Sequence, residues 1–328
     1  MQYRQLGRSG LHVSVIGLGT NAFGSRADKD TSIRILHEAL NAGINFIDTA
    51  NVYSSTQSEQ IIGEALRDRR HDAVLATKAG MVRGDGPNER GSSRAHLFHE
   101  IDESLRRLQT DYIDLYQIHT FDPHTPLDET LRALDDLVCA GKIRYIGASN
   151  YAAWELMKAL AISDYRRLAR YVSVQPCYSL ADRTVEIELV PLCLDQGVGL
   201  IPYFPLAGGI LTGKYGDGQA PAGSRADKDA KYAARLDADR LTLGAAVTDI
   251  AGRLGMSASV LSLAWLVSQP VVSTIIVGAT KSAQLQENVT AAAIRLDAAT
   301  MQELNEKSAA FRFATPFAEF RLPPRRDA

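Results

Sequence analysis

Asp48, Tyr53, Lys78 and His119 are the residues of this chain whose types could combine in acid–base chemistry. Each falls at, or shortly after, the end of a short apolar run. A phenol titrates near ~10, so Tyr53 alone is a reluctant proton donor at neutral pH. A buried Lys78 ammonium beside it favours the phenolate and is expected to draw that value down. Asp48 would keep the ammonium charged and aligned, because an unpaired buried ammonium is costly. His119 would hydrogen-bond a substrate carbonyl and fix its angle to a hydride donor. The set suits protonation of an oxygen while hydride reaches the neighbouring carbon. Covalent acyl transfer is not suggested, since no nucleophile stands beside a base. Taken singly, the residues have plainer roles: Lys78 as a surface cation, His119 as a core histidine, Asp48 as a helix cap.

The elements that must position these side chains are legible as eight apolar, β-branched runs. They are Val13–Leu18, Ile44–Ile47, Ala73–Ala76, Tyr112–Ile118, Ile143–Ile146, Tyr171–Val174, Val198–Ile201 and Thr274–Val277. Their continuity suits parallel strands buried on both faces. Amphipathic helices alternate with them. Leu127, Leu131, Leu134 and Val138 share one helix face, with Thr125 as a capping hydroxyl, Pro126 in the first turn and Gly141 as the stop. Leu97, Ile101, Leu105 and Leu108 mark another helix, and Thr56 looks like the cap of a third. The pattern predicts one α/β domain over 1–328, a (β/α)8 TIM barrel with an N-terminal β-hairpin and a C-terminal helical segment. The runner-up is an open doubly wound sheet. In a barrel the chemistry gathers at the strand ends, which also supply Ser149 with Asn150, Gln175 and Tyr203. Two glycine-rich stretches, Gly80–Ser93 and Ala207–Lys231, read as functional loops. With Thr120–Thr125 and the tail around Phe311–Phe320, they are expected to frame the pocket.

Composition narrows the class further. The 328 residues carry 36 Lys plus Arg against 38 Asp plus Glu, a net charge of -2, which offers no field for nucleic acid or an anionic membrane. The first residues lack the apolar core of a signal peptide, and no run approaches the ~18 residues of a membrane span. Cys139, Cys177 and Cys193 have neither disulfide nor zinc-site spacing, so a reduced, cytoplasmic protein is expected. Gly17, Gly19 and Gly24 break the G-x-G-x-x-G register, and the loop from Gly208 to Lys214 ends in Tyr215 where a Walker loop needs Ser or Thr. His96 with His99, or His119 with Asp122 and His124, make poor metal sets. Paired carboxylates for glycoside hydrolysis are missing from the strand ends.

Several segments together resemble the aldo-keto reductase superfamily almost end to end. GINFIDTANVY (Gly43–Tyr53), LATKAG with Lys78 and DLYQIH with His119 are similar to the segments that carry its catalytic Asp, Tyr, Lys and His. GKIRYIGASNY resembles the segment whose Ser149 and Asn150 would hold a nicotinamide carboxamide, with Gln175 joining them and Tyr203 stacking on the ring. GATKSAQLQEN resembles the adenosine-binding segment, in which Gln284, Glu287 and Asn288 would meet adenine and ribose, and Thr280 and Lys281 the 2′-phosphate. The resemblance also places Gly19, Thr20, Asn21, Phe204, Leu206 and Gly278 against the cofactor. Lys214 and Arg225 match phosphate-pairing residues of the subfamily closest to potassium-channel β subunits and their bacterial relatives, which implies NADPH.

The chain departs from that pattern at four positions. Phe204 replaces a Ser that contacts the pyrophosphate, Ser54 replaces a Gly after the tyrosine, Asn21 replaces an aromatic, and Gly278 replaces a basic residue. What the resemblance implies is NADPH-dependent reduction of a small-molecule aldehyde, ketone or sugar. The alternative is a cofactor-sensing subunit with little turnover. Oligomeric state and substrate stay open.

Overall fold

The computed structural model describes residues 1–216, 219–221, 225–228, 230–313 and 322, with only the backbone for Arg225, Lys228 and Lys231. Strands β1 (Tyr3–Gln5) and β2 (His12–Ser14) form the antiparallel hairpin expected at the N-terminus. Eight parallel strands follow: β3 (Ile16–Gly19), β4 (Phe46–Asp48), β5 (Val74–Ala79), β6 (Ile113–Ile118), β7 (Ile143–Ser149), β8 (Tyr171–Gln175), β9 (Gly199–Leu200) and β10 (Ile275–Gly278). They pair in sequence order, with β10 beside β3. The ring closes where Leu200 bridges Val272 in parallel and the Ile276 amide donates to the Pro202 carbonyl at 2.8 Å. The sheet is a (β/α)8 barrel, not the open doubly wound alternative.

Helices return the chain between strands: α1 (Lys29–Asn41), α2 (Gln57–Ala65), α3 (Arg94–Leu108), α4 (Leu127–Cys139), α5 (Ala153–Arg166) and α6 (Leu189–Gln196). The short α7 (Arg225–Lys228) and α8 (Ala230–Ala233) precede α9 (Ala238–Arg253) and α10 (Ala258–Val267). Last come α11 (Ser282–Thr290) and α12 (Ala298–Lys307), the expected C-terminal helical segment. Among the described residues no single helix is long and apolar enough to cross a membrane.

Two of the sequence-derived caps fail. The Thr125 hydroxyl donates instead to Asp122 Oδ2 at 2.6 Å, and the N-cap of α4 is Pro126. Thr56 stands before α2 but at φ 78°, where its side chain makes no capping bond. A capping hydroxyl needs an extended backbone to reach the first amides, which Thr56 lacks, and the Thr125 hydroxyl is already engaged by Asp122. Gly141, by contrast, ends α4 at φ 74°, in the left-handed region that favours glycine.

Period-two alternation explains why the barrel is apolar below and polar above. Phe46, Val74, Ala76, Leu115, Ile201 and Ile276 form one buried cluster with Leu6 and Val13 of the hairpin, which closes the barrel floor. Two residues further along the same strand faces stand Asp48, Lys78 and Gln117. The register pairs Lys78 with Gln117 and Ser149 with Gln175. The strands run past the apolar residues that mark them in the sequence and carry this polar layer inside the ladder.

Candidate active site

At the C-terminal end of the barrel the polar layer forms the floor of a cleft of about 850 Å³. The Lys78 side chain is fully buried there. Its Nζ donates to Asp48 Oδ2 at 2.6 Å, to the Thr49 carbonyl at 2.8 Å and to Tyr53 Oη at 3.3 Å. The other Asp48 oxygen accepts from Gln175 Nε2 at 2.9 Å and Gln117 Nε2 at 3.2 Å. A carboxylate so held cannot swing away from the ammonium. Four residues from four different strands or turns therefore meet around one charge pair.

Tyr53 begins a tight turn, Tyr53–Thr56, after β4. Its ring lies edge-on to His119, with centroids 5.8 Å apart. The electrostatics correct one expectation. Burial pushes the Tyr53 phenol above its ordinary value, and the nearby Lys78 charge, which pulls it down, does not fully offset this. For Lys78, burial acts to lower the value, but Asp48 and Tyr53 outweigh it, so the amine stays charged. Burial, aided by the Lys78 charge, holds His119 well below the usual histidine range, and its imidazole is neutral.

Beside this group, Asn150 sits at φ 55° just after β7. Its Nδ2 donates to the His119 carbonyl at 2.9 Å and to Ser149 Oγ at 3.0 Å, and its Oδ1 accepts from Tyr203 Oη at 2.9 Å. Ser149 Oγ donates to the Gln175 carbonyl at 2.9 Å. Amide, hydroxyl and phenol groups are thus gathered on one wall, next to the Tyr53 hydroxyl.

Of the residues singled out in the sequence, Gly19, Thr20, Asn21, Asp48, Tyr53, His119, Ser149, Asn150, Gln175, Tyr203, Phe204, Leu206, Lys214, Gly278, Thr280 and Gln284 line the cleft. Lys78 lies beneath its floor. Lys281, Glu287 and Asn288 do not line it: the first two are exposed on or beside α11, and Asn288 is buried. Gln284 Oε1 is engaged by the Thr280 amide and hydroxyl. Arg225 starts α7, and its side chain lies outside the described residues, as do residues 314–320 of the tail.

The loops divide differently from the expectation. Ala207–Ile210, Thr212 and Lys214 line the cleft, but no residue of Gly80–Ser93 or Thr120–Thr125 does. These two segments are pinned to each other. The Asp122 carboxylate accepts from the Ser92 amide, the Thr125 hydroxyl and the His124 amide. Gly91, at φ 81°, leaves no room for a Cβ, which would fall 2.4 Å from Asp122 Oδ2. Sequence reasoning missed Gln117, although it stands one residue before Ile118 in the same strand. It also missed the segment after β8, where Ser179, Asp182 and Thr184 reach the cleft, and the pair Tyr232 and Arg235. Arg235 lies 5.1 Å over the Phe204 ring.

Could this cleft take a dinucleotide? Its volume is within the range of ligand pockets, ~300–1,000 Å³. Amide and hydroxyl donors and acceptors flank an aromatic ring at one end. Lys214 supplies a cation elsewhere on the wall, its stem laid where a Cβ of Gly209 would be, 2.3 Å from Lys214 Cε. The donor set fits a carboxamide, and the lysine fits a phosphate.

Comparison with known proteins gives the same direction. The sequence profile described as the Aldo/keto reductase family matches residues 15–309. The chain is 40% identical over 317 residues to an uncharacterized oxidoreductase of Bacillus subtilis, covering 93% of this chain and 95% of that protein. It is 40% identical over 299 residues to a probable voltage-gated potassium channel subunit beta of Oryza sativa, covering 89% and 91%. A versiconal hemiacetal acetate reductase of Aspergillus parasiticus is 34% identical over 336 residues, with 93% and 96% covered.

Proposed function

This chain belongs to the aldo/keto reductase family, and on that premise we propose that it reduces aldehydes or ketones to alcohols with NADPH, using Tyr53 as the acid. The observation that carries this reading is one lysine, Lys78, contacting both Asp48 and the Tyr53 hydroxyl under an open cleft. When bound, NADPH supplies a hydride to the carbonyl carbon. Ser149, Asn150, Gln175 and Tyr203 would hold its nicotinamide end, and Lys214 with Arg225 its 2′-phosphate.

Tyr53 keeps its proton until a carbonyl oxygen gains negative charge nearby, because burial disfavours the free phenolate. Once the proton moves, the Lys78 ammonium stabilises the phenolate left behind. Asp48 contributes by holding that ammonium in place before the reaction, so little reorganisation is needed as charge develops. His119, being neutral, can donate one hydrogen bond to the carbonyl oxygen without adding a second cation beside Lys78. The rest of the cleft, with Ser179, Asp182 and Thr184, offers partners for a hydroxylated carbonyl compound.

The test is Tyr53→Phe and Lys214→Met, each measured for NADPH and NADH binding by fluorescence titration and for turnover over a panel of aldehydes, ketones and sugars. Tyr53→Phe should bind NADPH as the parent does and lose nearly all turnover. Lys214→Met should weaken NADPH but spare NADH. Retained turnover in the first variant sinks the acid assignment, and equal loss for both cofactors in the second sinks the phosphate assignment. A cofactor-sensing subunit, the alternative raised by the sequence resemblance, would bind NADPH and turn over nothing in the panel.

A further inference from the structure

The turn that carries Tyr53 is conformationally unfavourable. Ser54, Ser55 and Thr56 follow one another at φ 48°, 51° and 78°, three non-glycine residues in the left-handed region. Such a run persists only where its surroundings impose it. Downstream it is fixed by a buried hydroxyl cluster, in which Ser58 Oγ lies 2.9 Å from both Thr49 Oγ1 and Thr20 Oγ1. Upstream the anchor is Asn51, two residues before Tyr53. The Asn51 amide donates to the Lys78 carbonyl at 3.2 Å, and its side-chain Nδ2 donates to Glu100 Oε2 at 2.6 Å.

Glu100 comes from α3, outside the barrel, and joins a buried network. Arg83 Nε lies 3.5 Å and Arg107 Nη2 3.9 Å from Glu100 Oε2. Arg107 Nε donates to Glu59 Oε2 at 2.6 Å, and Glu59 Oε1 accepts from Thr77 Oγ1 at 2.6 Å. Thr77 is the residue before Lys78. One network thus grips the chain just before Tyr53 and just before Lys78, the two groups whose separation sets the acid's properties. None of Asn51, Glu59, Thr77, Glu100 and Arg107 lines the cleft. Stability alone gives little reason for Asn51, whose buried Oδ1 has no hydrogen-bond partner. An apolar side chain there would avoid that cost.

We propose that Glu100, acting through Asn51, is a positioning residue that holds the Tyr53 hydroxyl against Lys78. The inference rests on Tyr53 being the acid. Glu100→Ala should lower kcat roughly ten- to a hundredfold, as small misplacements of reacting groups do. NADPH affinity, measured by fluorescence titration, and KM should stay within about twofold, since Glu100 touches neither ligand. Glu100→Gln keeps an acceptor for Asn51 and should recover most of the rate.

Two further readouts separate positioning from a general structural role. In the alcohol-oxidation direction the alkaline rise in rate should move to higher pH in Glu100→Ala, because a more distant Lys78 lowers the phenol less. In a Tyr53→Phe background, Glu100→Ala should cost nothing more. Wild-type kcat in Glu100→Ala, an unmoved pH profile, or an equal loss in the Tyr53→Phe background overturns the proposal. Full turnover by Tyr53→Phe alone instead overturns the acid assignment, whatever Glu100 does. If Glu100→Ala does not fold, Asn51→Ala carries the same expectations, and failure of both to fold would mark the network as structural only.

Discussion

Replacing Lys78 by Met should separate what the buried charge pair does for stability from what it does for the reaction. Lys78 and Asp48 have side chains 0% and 2% exposed, and their charges meet at 2.6 Å. At an effective dielectric of about 20 that contact is worth roughly 6 kcal/mol, most of it spent against the desolvation of both groups. The methionine variant leaves the buried Asp48 carboxyl without its cation, with only the amides of Gln117 and Gln175 as partners. Breaking one side of such a pair costs about 3–5 kcal/mol. Adding Asp48→Asn removes the stranded charge, and the double variant should regain about half or more of that loss. Turnover should not follow. Both variants lack the cation that steadies the Tyr53 phenolate, so both should be nearly inactive while still binding NADPH. The assay is urea unfolding of parent, single and double variants, with NADPH titration and turnover on the same samples. A double variant no more stable than Lys78→Met, or one that regains turnover with stability, would refute the reasoning.

Two shorter expectations follow from the same geometry. His119 is neutral when folded and titrates near ~6.5 when unfolded, so below that pH the unfolded chain binds the extra proton. Stability should therefore fall on acidification from about pH 6.5, by up to ~1.4 kcal/mol per pH unit for this group, and His119→Asn should flatten the slope measured by denaturant unfolding. Buried His96, also lowered by burial, adds a slope of the same sign that the variant retains. Ser54→Gly should raise stability by about 1 kcal/mol, read as an upward shift of Tm, because Ser54 sits at φ 48° with its buried Oγ unpartnered. A lower Tm would show that the serine is not strained.

The barrel was readable because most of its strand positions are buried, so Ala73–Ala76 or Val198–Ile201 announce themselves as unbroken apolar runs. The strand ends were harder. Lys78, Ser149 and Gln175 are polar, and each looks like the point where a strand stops, while Gln117 sits inside its run. They remain in the ladder because Lys78, Gln117 and Gln175 meet on Asp48 and Ser149 donates to the Gln175 carbonyl, relations between strands that no single segment displays. For the same reason Gln117 escaped notice: its partner lies 69 positions away. The loop from Gly80 to Ser93 looked like a cover for the pocket on composition alone. What decides its place is Asp122, which ties it to the segment after β6.

The phenol shows where residue types alone mislead about chemistry. From the pairing of a lysine and a tyrosine, the natural inference is a lowered phenol value, since a cation favours the anion. That inference ignores the environment needed to keep the lysine dry. The same burial that strengthens the ammonium's action on Tyr53 also penalises the phenolate, and here burial is the larger of the two. A phenol held protonated is no handicap in the reductive direction, where the acid must carry its proton until the carbonyl oxygen becomes basic. It is a handicap in the oxidative direction, where the phenolate must form first. With Tyr53 as the proposed acid, the arrangement around it would favour carbonyl reduction near neutral pH and leave alcohol oxidation to alkaline conditions.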